Sequence, residues 1–168
     1  MSRVVLLPLD EDLLRTRLRT DDFTTQRLIE GAPRSVHAGP EFPGDALGLY
    51  RRFLPASLRD GVVPGTYVVV DLSCGEVVAQ VGTIAPPGVE PVEISYGVNA
   101  THRGRGVATE AVGLLLALLR DHHGAATIIA RTSLANPASA RVLEKNGFVV
   151  TGHEADDVLL WMAPASPP

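Results

Sequence analysis

A chain of 168 residues, 45% hydrophobic and 20% charged, is long enough for one domain with a real core, placed at residues 1–163 with a frayed Pro/Ser-rich tail at 164–168. Its net charge of -4 argues against a general nucleic-acid binder, and its longest apolar run, Val112 to Leu119, is too short to cross a bilayer. Cys74 is the only cysteine, so no intramolecular disulfide can form; with no signal-peptide pattern at the N-terminus, a reducing, cytoplasmic setting is expected, and abundant Arg, Ala, Gly and Pro suggest a GC-rich bacterial source.

In chain order, Arg3 to Leu7 reads as a strand ended by Pro8. Asp10, Glu11 and Asp12 then supply the acids of a helix first turn, with the helix running to about Leu18. Phe23 to Ile29 is expected to be a second helix stopped by Gly31, and residues 31–44, rich in Pro and Gly, a loop. Asp45 could cap a short helix carrying Leu47, Tyr50 and Phe53, ended by Pro55. The pattern then turns to strands. Thr66 to Leu72 and Glu76 to Ile84 read as a hairpin with Cys74 in its turn, followed by a strand at Val92 to Val98. A helix spans about Arg105 to His122, and a strand Ala126 to Arg131. Asn136-Pro137 opens the last helix, since Asn is a good N-cap and Pro suits the first helical position. Gly147 closes it, with Phe148 folding back on Leu143. Val149-Val150 and Val158 to Met162 are final strands. Several adjacent strands break the alternation a doubly wound sheet requires, so the fold class is mixed α+β.

The stretch Glu93 to Val112 carries the chemistry. A strand ends, a polar loop follows, and Arg103-Gly104-Arg105-Gly106-Val107-Ala108-Thr109 opens a helix. The first N–H groups of a helix lack intrahelical partners, and the helix dipole adds partial positive charge there. Gly104 and Gly106 let a ligand approach the backbone, and Arg103 and Arg105 add forked cationic donors. Such a turn suits a pyrophosphate.

Residues 103 to 108 resemble the acetyl-CoA motif Gln/Arg-x-x-Gly-x-Gly/Ala of the GNAT N-acetyltransferases. Residues 104 to 111 resemble the Gly-Arg-Gly-x-Ala-Thr-Glu-Ala form of the RimJ/RimL-type branch, and Asn136 to Phe148 resembles its Asn-x-x-Ser…Leu-Glu-Lys-x-Gly-Phe segment. The likeness spans about residues 66 to 162. It implies the GNAT acyl-CoA N-acyltransferase fold: a mixed, mostly antiparallel sheet flanked by helices and splayed between its fourth and fifth strands. Acetyl-CoA would lie in the wedge, with Tyr96, Gly97 and Val98 on the pantetheine arm, Arg103, Gly104, Arg105, Gly106, Val107, Ala108 and Thr109 around the pyrophosphate, and Asn136 near the pantetheine end.

Acetyl transfer needs a deprotonated amine, a donor for the oxyanion and a proton for the departing thiolate. By resemblance Glu93 is the candidate base, and a backbone N–H near Val98, where the family strand bulges, the oxyanion donor. The family's usual tyrosine acid is replaced by Leu143, and RimL-like relatives point instead to Ser139. Tyr96 is assigned to packing or pocket lining. No His/Cys/Asp spacing suggests a metal. The acidic N-terminal half, Asp10 to Asp45, suits a cationic amine: a small molecule or a protein N-terminus. A catalytically degenerate acyl-CoA binder is the competing reading, and a monomer or homodimer is expected.

Overall fold

The computed structural model describes residues 2–43, 62–154 and 157–163. The expected short helix around Asp45 to Pro55 and the tail at 164–168 lie outside them. Among the described residues the strands are β1 (Val4–Asp10), β2 (Phe23–Ile29), β3 (Ala32–Ala38), β4 (Val62–Asp71), β5 (Glu76–Thr83), β6 (Val92–Val98), β7 (Ile128–Ser133), β8 (Val149–Glu154) and β9 (Val158–Met162). The helices are α1 (Glu11–Arg19), α2 (Val107–His123) and α3 (Pro137–Lys145). No helix among the described residues is long and apolar enough to cross a membrane.

The sheet runs β1-β4-β5-β6-β7-β9-β8, with the β2–β3 hairpin joined to it at β5. All neighbours on that path are antiparallel except β6 and β7, which run parallel. Only Val92 with Ile128 and Glu93 with Ile129 pair between these two strands. Beyond Glu93 they part, which is the opening between the fourth and fifth strands of the path that the resemblance implies. The mixed, mostly antiparallel α+β fold is therefore present.

Two cores hold the layers. Val78, Val81, Val92, Ile94, Leu115, Leu119, Leu143 and Phe148 pack α2 and α3 on one face. Leu9, Leu13, Leu14, Val36, Phe42, Val68 and Val70 pack α1 and the β2–β3 hairpin on the other. Asp10 caps α1 by accepting from Leu13 N at 2.8 Å, and Arg17 and Arg19 sit in its last turn, where cations suit the dipole. Asn136 caps α3 by accepting from Ser139 N at 3.1 Å. The paired bonds Phe148 N to Leu143 O and Gly147 N to Glu144 O, both 3.0 Å, close α3 in the expected Schellman stop. Asn146 ties the helices together: its Nδ2 donates to Thr109 O at 3.1 Å and to Val142 O at 2.9 Å. Gly113 makes room for it, since a Cβ there would stand 3.2 Å from Asn146 Oδ1.

Phe23–Ile29 is a strand, not the expected helix, and residues 32–38 are its hairpin partner rather than loop. Phe23, Thr25, Arg27 and Ile29 turn inward while Thr24, Gln26 and Leu28 face out, a period of two. Glu30 and Gly31, at φ 52 and 78, make the tight turn, so Gly31 ends a strand rather than a helix. β1 also runs through Pro8 to Asp10, with an irregularity between those two residues. An edge strand tolerates the missing donor.

Candidate functional site

Strand β6 is the wall between two clefts. Its alternation sends Val92 and Ile94 into the α2-side core, while Glu93, Ser95 and Gly97 face the other side of the sheet. On the α2 side, past the point where β6 and β7 separate, lies a cleft of about 610 Å³. Tyr96, Gly97 and Val98 form one wall, Gly104, Gly106, Val107, Ala108 and Thr109 its cap, and Asn136, Ser139, Arg141 and Lys145 the other wall. Of the twelve sequence-named binding and catalytic positions other than Glu93, eleven line this cleft; the exception is Arg105, which is exposed.

The cap is built for an anion. Gly104 and Gly106 have φ 73 and 82, and a Cβ at either would meet nothing within 4 Å in the protein itself. Gly106 is the N-cap residue of α2 and offers no side-chain bond, so the first N–H groups of a 17-residue helix stay open toward the cleft. Arg103 Nε donates to Val98 O at 3.2 Å, which fastens the turn to the end of β6. Sequence reasoning missed Arg141 and Lys145. With Ala138 and Val142 they follow the i, i+3, i+4, i+7 spacing of one helix face, which was the available signal.

Tyr96 crosses the wedge: its Oη donates to Ser139 O at 3.0 Å. Burial pushes the phenol above its ordinary pKa, with the Ser139 contact opposing, so it remains a protonated donor. Among the described residues nothing bonds the Ser139 hydroxyl itself, and it lines the cleft.

On the opposite face a second cleft of about 430 Å³ is lined by Glu41, Gln80, Ser95 and Asn99, and shares Tyr96, Gly97, Val98 and Arg103 with the first. Glu41 accepts from Thr101 N at 3.1 Å and Thr101 Oγ1 at 2.9 Å, and these bonds hold its carboxyl below the usual range. Gln80 pairs across from Gly97, and its Oε1 is buried without a hydrogen-bond partner among the described residues. The Glu41 segment is held from beneath by Arg17, a buried guanidinium that donates to Phe42 O, to Pro40 O at 3.2 Å and to Thr20 O at 3.0 Å, and pairs with Asp21 at 2.7 Å.

Glu93 lines neither cleft. It sits at the apex of the wedge, where β6 and β7 last pair, and its Oε2 is bonded by Arg131 NH1. Arg131 also forks onto Glu154, donating at 2.9 and 3.0 Å, and these hydrogen bonds to Glu154 together with the charge of Glu93 raise its pKa. Glu93 Oε1 has no hydrogen bond among the described residues. Arg131, on β7, was not foreseen as a partner. The pairing of β5 with β6 runs from Ile94 to Val98 without a register shift, so the strand bulge expected near Val98 is not present in that ladder.

The sequence spacing gave no reason to expect a metal. The fold nevertheless brings Cys74, Glu76 and His102 together, with their ligand atoms all within 4.8 Å of one another.

The chain matches the model of the acetyltransferase (GNAT) domain over residues 3–149. No curated protein matches it. Among solved structures it is similar to spermidine N-acetyltransferase from Vibrio cholerae in complex with CoA and spermine, at 18% identity over 99% of this chain and 98% of that chain, TM-score 0.66. A GnaT-family protein from Bordetella pertussis is 23% identical over 98% and 97% of the two chains, TM-score 0.65. An acetyltransferase of the GNAT family from Bacillus anthracis is 19% identical over 70% and 72%, TM-score 0.56. At these identities the structural likenesses speak to the fold.

Proposed function

The chain belongs to the GNAT acetyltransferase domain family, and on that premise we propose that it transfers the acetyl group of acetyl-CoA to a primary amine by direct attack in a ternary complex. The observation that carries this reading is the pair of clefts sharing one wall at Tyr96 to Val98. The donor occupies the α2-side cleft: pyrophosphate at Gly104 to Thr109 with Arg103, pantetheine along Tyr96 to Val98, and Asn136 near its far end. The acceptor approaches from the Glu41 side.

The amine nitrogen attacks the thioester carbonyl carbon, the C–N bond forms, and the C–S bond breaks. Glu93 takes the amine proton through a water, since Ser95 in the acceptor cleft stands two residues on, about 6.6 Å along the strand. Ser139, whose hydroxyl faces the donor cleft, returns a proton to the thiolate. Backbone N–H groups of β6 left unpaired toward β7 stabilise the oxyanion. The carboxylate of Glu41 and the unpartnered oxygen of Gln80 support a cationic acceptor. The Vibrio cholerae neighbour with bound spermine and the RimJ/RimL-like motifs each fit that class, the first as a polyamine, the second as a protein N-terminus.

Two observations favour a second reading, an acyl-CoA binder without catalysis: Arg131 already holds one oxygen of the proposed base, and Leu143 stands where many relatives place a tyrosine. CoA-thiol release measured across polyamines, small primary amines and N-terminal peptides separates the two. Release that depends on one amine class and falls in Glu93→Gln supports catalysis. Tight CoA binding with no amine-dependent release supports the binder.

A further inference from the structure

We propose that Cys74, Glu76 and His102 form a binding site for a zinc-class divalent transition metal, next to the donor cleft. Cys74 and Glu76 lie two residues apart, in the β4–β5 turn and at the first position of β5, and His102 comes from the short turn Ala100–His102 after β6. The sheet brings His102 to that pair across 26 residues of sequence. All three ligand atoms lie within 4.8 Å of one another, and His102 Nε2 is 3.3 Å from Glu76 Oε2.

Tetrahedral zinc with sulfur, nitrogen and oxygen ligands sets neighbouring ligand atoms about 3.4–3.7 Å apart. Cys74 is exposed on a turn and Glu76 is partly exposed, so both side chains have room to turn toward that spacing. The donor set selects the metal. A thiolate with an imidazole favours zinc, cobalt or copper over magnesium and calcium, which require oxygen ligands. Three protein ligands leave a fourth position for water.

The surroundings orient the ligands. Thr101 Oγ1 lies 3.1 Å from His102 Nδ1, so the ring presents Nε2 to Glu76. His37 Nδ1 lies 3.9 Å from the other Glu76 oxygen and its Nε2 is 3.0 Å from Asp22, which holds the carboxylate from behind. Glu76 thus lies beside two imidazoles, and Cys74 adds a thiol within 4.8 Å of the carboxylate and of His102, completing a sulfur, nitrogen and oxygen donor set. His102 also lines the donor cleft and precedes Arg103. Metal at this site therefore pins the turn that leads into the phosphate cap.

Cobalt(II) titration of the full chain tests the site. The expected result is one equivalent bound, with a thiolate-to-cobalt charge-transfer band and the visible bands of a tetrahedral ion. Cys74→Ser removes the charge-transfer band and weakens binding at least about tenfold, His102→Gln weakens it similarly, and the double change His122→Gln/His123→Gln leaves it unaltered. Zinc also raises the melting temperature of the wild-type chain and not of Cys74→Ser. Absence of the charge-transfer band, binding that survives Cys74→Ser unchanged, or binding that disappears with His122 and His123 would overturn the assignment.

Discussion

The two clefts flanking β6 share Tyr96, Gly97, Val98 and Arg103 and almost nothing else in their construction. The α2-side cleft is made largely of backbone: two positive-φ glycines, an open helix N-terminus and a strand edge that, past Glu93, has no pairing strand among the described residues, with Arg103, Arg141 and Lys145 set around it. The opposite cleft is made of side chains, Glu41, Gln80, Ser95 and Asn99, gathered from three separate segments. Backbone recognition fixes a ligand common to a family, because glycine and cap positions leave few alternatives. Side-chain recognition is free to change the acceptor while the donor stays the same.

Four substitutions and one control probe that division, from the largest effect down. Glu93→Gln is expected to lower kcat by about 10²-fold or more, the range general-base removal gives, with CoA affinity intact. Parallel kcat and CoA-binding measurements check it, and a loss of both would mean Glu93 serves the donor side. Gly106→Ala is expected to weaken CoA binding about 30-fold, roughly 2 kcal/mol, while φ 82 costs the fold only about 1 kcal/mol. Calorimetric affinity compared with denaturant stability separates the two, since the added Cβ touches nothing in the protein itself.

Asp71→Asn is the control that lies in neither cleft. Burial alone would raise the Asp71 pKa, but hydrogen bonds from Arg3 and Ser73 bring it from 3.8 to about 2. A lowered folded pKa contributes stability above pH 3.8 that disappears as pH falls toward 2. The variant should lose roughly 2 kcal/mol at neutral pH, converge with wild type at acid pH, and keep its CoA affinity. Urea melts across pH check the convergence.

Arg103 lines both clefts, so Arg103→Ala is expected to lower CoA affinity about fivefold and also raise KM for the amine. Initial rates with each substrate varied in turn would show whether the effect stays on one side. Glu41→Gln should act on the acceptor alone, raising KM about threefold for dicationic amines and leaving neutral ones unchanged, an effect that shrinks with added salt.

The same division explains what the sequence disclosed. Asn136, Pro137, Gly147 and Phe148 carry local rules, and the α3 cap and stop appear where those rules put them. The glycine turn ahead of α2 was legible for the same reason, and family resemblance supplied the ligand proposed for it. The β2–β3 hairpin was misread because Leu28, 74% exposed, interrupts the alternation a buried strand would show, and Gly31 serves a hairpin turn as readily as a helix end. Arg131 on Glu93 and Arg17 beneath Glu41 were not legible at all. Each ion pair or carbonyl contact joins residues that sheet topology, rather than sequence spacing, makes neighbours.

Asn146 sets a tolerance. One amide spans α2 and α3, bonded to a carbonyl on each, and Gly113, with no side chain, leaves it room that a Cβ would crowd. The mouth of the donor cleft is therefore gauged like a pair of calipers locked at the hinge. Its jaws, the α2 cap and the Ser139 end of α3, keep their span whatever acceptor the other face of the sheet comes to prefer.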